Sequence, residues 1–164
     1  MRHFRGPRTH AMLAGMASPY LPPPMDTATD PIHSADDLCL RWRALMGELG
    51  FGEPLLRFAF VGPDRCLIKV LHDMPVPDHP TPRIVDDLFG VLRAVIDGTD
   101  PGITVALLLT RPGTGGISER DRRWATLLHR GAARYDVPIH PIFRANDRSV
   151  VLVEPDRAAR SRIV

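Results

Sequence analysis

The stretch Ile103–Leu109, ITVALLL, constrains the fold more than any other part of the chain. It shows no alternation of polar and apolar residues. As a strand it is apolar on both faces, so it must lie centrally, with a layer covering each face. The chain has 164 residues, 44% of them apolar. That is about one domain's length, with enough apolar surface for a core of this kind.

The flanking patterns supply the layers. Leu38, Trp42, Leu45, Met46 and Leu49 recur at helical spacing. Ser34 stands as N-cap, Asp37 as its partner three residues on, and Gly50 as the stop, which predicts a helix over 35–49. Two strands follow, Leu55–Val61 and Cys66–Leu71, around the turn GPDR at 62–65; they read as a hairpin. HDMPVPDHPT at 72–81 reads as a Pro-rich loop. Thr81 caps a second helix with Pro82 at its first position, inner face Ile84, Val85, Leu88, Leu92, Val95 and Ile96, and Gly98 at its end. After the central strand, a third helix runs from Ser118 to about Tyr135 on Trp124, Leu127, Leu128, Ala132 and Tyr135. Strands at Val137–Phe143 and Ser149–Glu154 close the chain around the turn RAND, and Pro138 and Pro141 push the first of them toward a sheet edge. The predicted order is α-β-β-α-β-α-β-β, a mixed sheet between helices.

Residues 1–31 hold six of the 17 prolines, including Pro22-Pro23-Pro24, and show no periodicity. They read as a disordered tail, followed by one domain over 32–154 and a flexible Arg-rich tail over 155–164. Arg2, Arg5 and Arg8 give a charged start, but the apolar stretch Ala11–Ala17 is short and broken by Gly15, which argues against a signal peptide. No run approaches the ~18 apolar residues of a membrane span. Cys39 and Cys66 are too few for a disulfide scaffold or a thiolate zinc site, and the expected setting is the cytoplasm with both thiols reduced.

The junction Thr110–Asp121, TRPGTGGISERD, is where chemistry is expected. A loop leaves the carboxyl end of a central strand and enters a helix, the place ligands favour in open α/β sheets. Gly113, Gly115 and Gly116 allow close backbone approach, and the amides before Ser118 face an anion in the N-terminal field of the helix. Arg111 and Arg123 would add charge, and Asp121 closes a capping box with Ser118. These seven residues form a candidate anion site. The segment is neither a Walker loop nor GxGxxG, and a capped strand-to-helix turn accounts for it without a ligand. Arg120, Arg123, Arg130 and Arg134 fall near one outward stripe of the third helix. Lys69 is the only lysine, so 20 of 21 basic residues are arginine; the scatter of arginines fits GC-rich coding better than a binding run. Net charge is +2, weak for a nucleic-acid partner.

Residues 55–154 resemble RadC-type JAB/MPN domains. In that family a hairpin, a helix and a central strand lead into H-x-H-P, a six-residue spacer and S-x-x-D, with two histidines and the aspartate binding zinc and the serine holding the reacting oxygen. Here VALLLTRP enters the loop, Pro112 stands at the family's proline, and Ser118 and Asp121 stand as S-x-x-D after a spacer of five. HPTPRIVDDLFGVLRAVI is similar to the family's helix after its P-R turn. The histidine positions hold Leu109 and Arg111. Leucine has no ligand atom, an arginine cation repels zinc, and one carboxylate cannot hold the metal alone. The resemblance therefore implies the fold and a lost metal centre: no catalytic residue, no metal and no cofactor. His72, Asp73, Asp78 and His79 match no zinc spacing and read as solvated loop residues. The expected function is a non-catalytic interaction module with another protein as partner. The alternative is a phosphate-ligand or nucleic-acid binding domain using loop 111–118 and helix 118–135. No membrane is expected, and the oligomeric state stays open.

Overall fold

The computed structural model describes residues 21–156. The protein is a mixed α/β fold with one five-stranded sheet, β1 Leu55–Val61, β2 His72–Pro75, β3 Thr104–Thr110, β4 Phe143–Ala145 and β5 Val150–Leu152, in the order β2-β1-β3-β4-β5. Only β3 and β4 run parallel, and the helix α3 (Glu119–Arg134) connects them. The helices α1 (Ala35–Met46) and α2 (Pro82–Asp97) complete the layers.

β3 sits in the middle, as its two apolar faces require. Val105, Leu107 and Leu109 pack toward α2 and α3, with Val85, Phe89, Leu92, Trp124 and Leu128. Ala106 and Leu108 pack toward α1, with Leu38 and Trp42. The expected caps are in place. Ser34 accepts from the Asp37 N–H, Thr81 from the Ile84 N–H, and Ser118 and Asp121 form a reciprocal capping box.

Five expectations are corrected. First, α1 ends at Gly47 rather than Gly50. Gly47 leaves the helix at φ 60° and donates to the Arg43 carbonyl, while Leu49 still packs on the core from beyond the helix end. Second, the hairpin partner of β1 is His72–Pro75, inside the segment expected to be loop. Leu67 makes one bridge to Val61, and then four residues, Ile68–Leu71, bulge out before pairing resumes at His72 opposite Phe58. β2 is an edge strand, where prolines cost no ladder bond. Third, Val137–Phe143 is not one strand. Ile139 bridges Val105, the chain slips past Pro141, and the strand proper starts at Phe143 between β3 and β5, so β5 rather than β4 forms the edge. Fourth, Val95 is exposed on α2 and Phe89 takes the buried place.

Fifth, the described part of the segment 1–31 packs on the domain. Met25–Thr29 form a 3-10 helix, Ala28 is buried, and Arg41 donates to the Asp30 carbonyl. Ile32 joins the core and bonds the Arg65 carbonyl. The remaining parts of the expected tails, residues 1–20 and 157–164, lie outside the described residues. Among the described residues, no helix is long and apolar enough to cross a membrane.

Candidate functional site

The strand β3 delivers its last residues to the carboxyl end of the parallel pair β3–β4. Leu109 is the final core residue there, 5% exposed, and Thr110 turns its hydroxyl to the Leu55 carbonyl. Arg111 comes next, and its guanidinium folds back over the start of α3. Its Nε and Nη2 reach both Asp121 carboxylate oxygens at 2.9–3.3 Å, and Nη2 also donates to the Gly116 carbonyl at 2.8 Å. Asp121 is 3% exposed, so this is a desolvated, forked ion pair rather than a surface contact.

A second arginine approaches the same carboxylate from β4. Arg144 is 1% exposed, its Nε lies 3.8 Å from Asp121 Oδ2, and its Nη2 donates to the Gly115 carbonyl. That Nε has no hydrogen-bond partner among the described residues. Asn146, fully buried, also donates to the Gly115 carbonyl at 2.7 Å, while its own Oδ1 accepts from the Arg148 and Ser149 N–H groups. Asp147 accepts from the Gly113 N–H at 2.7 Å and from the Phe51 N–H at 3.0 Å. Gly113 stands at φ 98°, a conformation a side chain would strain. The loop 111–118 is thus clasped from α3 by Asp121, from β4 by Arg144, and from the β4–β5 turn by Asn146 and Asp147.

The charges follow from these contacts. Burial pushes the Asp121 carboxyl up, but the Arg111 guanidinium and the Ser118 N–H and hydroxyl outweigh it and hold the group below the ordinary aspartate value. Burial, with Arg111 adding to it, lowers Arg144 despite Asp121 opposite. The Gly113 and Phe51 N–H groups lower Asp147.

The structure brings together Arg111, Gly113, Gly115, Gly116, Ser118 and Asp121 of the seven expected site residues. Arg123 stands apart, paired on the surface with Glu119 at 2.7 Å. Two more arginines of the outward stripe are paired, Arg120 with Asp78 at 3.0 Å and Arg134 with Asp86 at 3.3 Å. Exposed pairs of this sort contribute about 0–1 kcal/mol each. The His72–His79 cluster disperses, with His72 stacked on Phe58, Asp73 facing Arg57 and Asp78 facing Arg120. Cys39 points its thiol at the Val150 carbonyl.

Arg144, Asn146 and Asp147 were not legible as site residues. Their segment, RAND, signals a turn, but nothing local marks it as the partner of a glycine loop some 30 residues upstream. Among the described residues, no group of three or more His, Cys, Asp and Glu is placed to hold a metal ion. Neither a protein-family model nor a curated protein matches this chain.

Proposed function

We propose that this is a non-catalytic, JAB-like α/β domain that acts as a protein-interaction module. The observation that carries the reading is the Arg111–Asp121 pair. In the resembled family an aspartate at this place and two histidines before it hold zinc; here the residues do not fit the metal. Leu109 is packed in the core, and the Arg111 guanidinium is the cation that faces Asp121. An arginine fixed at 2.9 Å from the carboxylate supplies the countercharge a metal would supply, without a coordination site or an activated water. The loop is then a structural clasp.

Interaction is supported by the sheet's other side. Ile68, Val70 and Leu71 stand exposed on the bulge before β2, with Met25 beside the same groove. Four consecutive exposed residues, three of them large and apolar, are uncommon on a surface with no partner. The expected result is a purified chain with far less than one zinc per molecule, whose binding to a protein partner is lost in Val70→Asp and kept in Arg111→Ala. One tightly held zinc per chain, surviving a weak chelator, would refute the reading.

A second reading is favoured by a different observation. Arg111 and Arg144 converge on Asp121 at the start of α3, beside the glycine amides of the loop. On this reading the loop takes the phosphate of a ligand or nucleic acid. Arg111→Ala then weakens binding of fluorescent single-stranded DNA and flattens its salt dependence by about one unit of slope. Equal binding by wild type and the variant at low salt counts against it.

A further inference from the structure

The end of β3 opposite the clasp opens into a cavity of about 500 Å³. Its polar walls come from His33 and Ser34 before α1, Arg65 from the hairpin turn, Thr104 at the start of β3, and His140. The lining residues include one arginine and two histidines and no acidic side chain. A lining of this kind favours negative over positive charge.

Arg65 is the cationic side chain of this lining. Arg41, Arg57, Arg93, Arg111, Arg120 and Arg134 each face a carboxylate. Arg65 has no ion-pair partner among the described residues; its Nη1 instead lies 2.9 Å from Nδ1 of His33. A guanidinium can only donate, so that ring nitrogen accepts, and the proton of the neutral imidazole sits on Nε2. The pair therefore offers donors and has no acceptor left to offer. The backbone holds this arrangement in place. The Arg65 carbonyl accepts from the Ile32 N–H, its N–H closes the turn onto the Gly62 carbonyl, and Pro63 packs against Gly102. Thr104 Oγ1 and His140 Nε2, 2.8 Å apart, add a second polar pair on the lining. The two carboxylates bonded beside this site are already engaged, Asp37 by the His33 N–H and Asp64, in the hairpin turn, by the Cys66 N–H.

We propose that this cavity binds an oxyanion, the phosphate or carboxylate group of a small ligand, through the Arg65 guanidinium and the His33 Nε2–H. A guanidinium matches both groups through two parallel N–H donors. The volume leaves room for a ligand of metabolite size beyond the anion itself. The site shares no residue with the loop 111–118, so it stands whether or not that loop binds anything.

Titrations of the full chain with inorganic phosphate and, in parallel, acetate, followed by amide proton–nitrogen correlation spectra, test this. The expected result is saturable shifts at Ala35, Arg65 and Thr104 with either ion, and a weakening of about tenfold or more in Arg65→Gln. A larger affinity for phosphate assigns a phosphate ligand, and the reverse a carboxylate ligand. Thr81→Ala, which removes the cap of α2 away from the cavity, leaves binding within about twofold. The proposal is overturned by shifts confined to Gly113–Ser118, by no saturation up to about 50 mM, far above a ~1 mM Kd, or by equal binding in wild type and Arg65→Gln.

Discussion

Asp121→Ala is expected to destabilise the protein by about 3–5 kcal/mol, because it leaves the buried guanidinium of Arg144 and the half-buried one of Arg111 without their shared carboxylate. It also removes half of the capping box at the start of α3, a contribution of about 1 kcal/mol. For a domain of this size each kcal/mol moves Tm by roughly 2–4 °C, so a drop of about 10 °C is expected in thermal melts. Asp121→Asn keeps the volume and an acceptor for the Ser118 N–H, so its difference from Asp121→Ala separates charge from cap. The pH response follows from the same contact. The Asp121 carboxyl lies lower in the folded chain than in the unfolded one, so the unfolded chain takes up more protons as pH falls. Its stabilisation is complete above the ordinary aspartate range, about 3.9, and is lost as pH drops through the depressed folded value. A melt series in acid should therefore be steeper for wild type than for Asp121→Ala. A variant within about 1 kcal/mol of wild type at pH 7 would mean that the clasp holds nothing together.

Phe89→Ala is expected to cost about 3–5 kcal/mol, the range for emptying a fully buried aromatic site. Its neighbour across the α2–α3 contact gives the opposite experiment. A Cβ built on Gly131 would sit 2.5 Å from Phe89 Cδ2 and 2.6 Å from Val85 Cγ1, so the glycine is there for close approach. Alanine at that position gains about 1 kcal/mol of helix propensity. Overpacking against two buried side chains costs about 1–3 kcal/mol, and with contacts this short the steric term wins. Gly131→Ala should therefore destabilise wild type yet cost less in the Phe89→Ala background, where one of the two obstacles is gone. Chemical denaturation of the four proteins measures the coupling, expected at 0.5 kcal/mol or more. Additive costs would show that α2 and α3 shift apart and that the contact is soft.

The expected partner of β1 was misplaced because a bulge is a pairing decision. Ile68–Leu71 has the composition of a strand, and HDMP has that of a loop. Only the ladder shows that Val61 bridges Leu67 while Phe58 meets His72, leaving two surplus residues on the second arm. The same holds at Pro141, where a one-residue slip separates the Ile139 bridge from β4.

Local chemistry was sufficient wherever the cause is local. The all-apolar ITVALLL stretch dictates a strand covered on both faces, since no water-facing side exists for it. Ser34, Thr81 and Ser118 start the helices because their hydroxyls reach amides three residues away. The capping box of Asp121 was legible for the same reason. What required the tertiary structure is who shares that carboxylate. Arg111 reaches it from ten positions earlier in the chain, and Arg144 arrives from a strand that is adjacent only because the α3 crossover sets β4 parallel to β3. Charge pairing across such distances leaves no periodic trace in a sequence, because Coulomb attraction depends on separation in space and on burial, and both are set by the packing of the sheet.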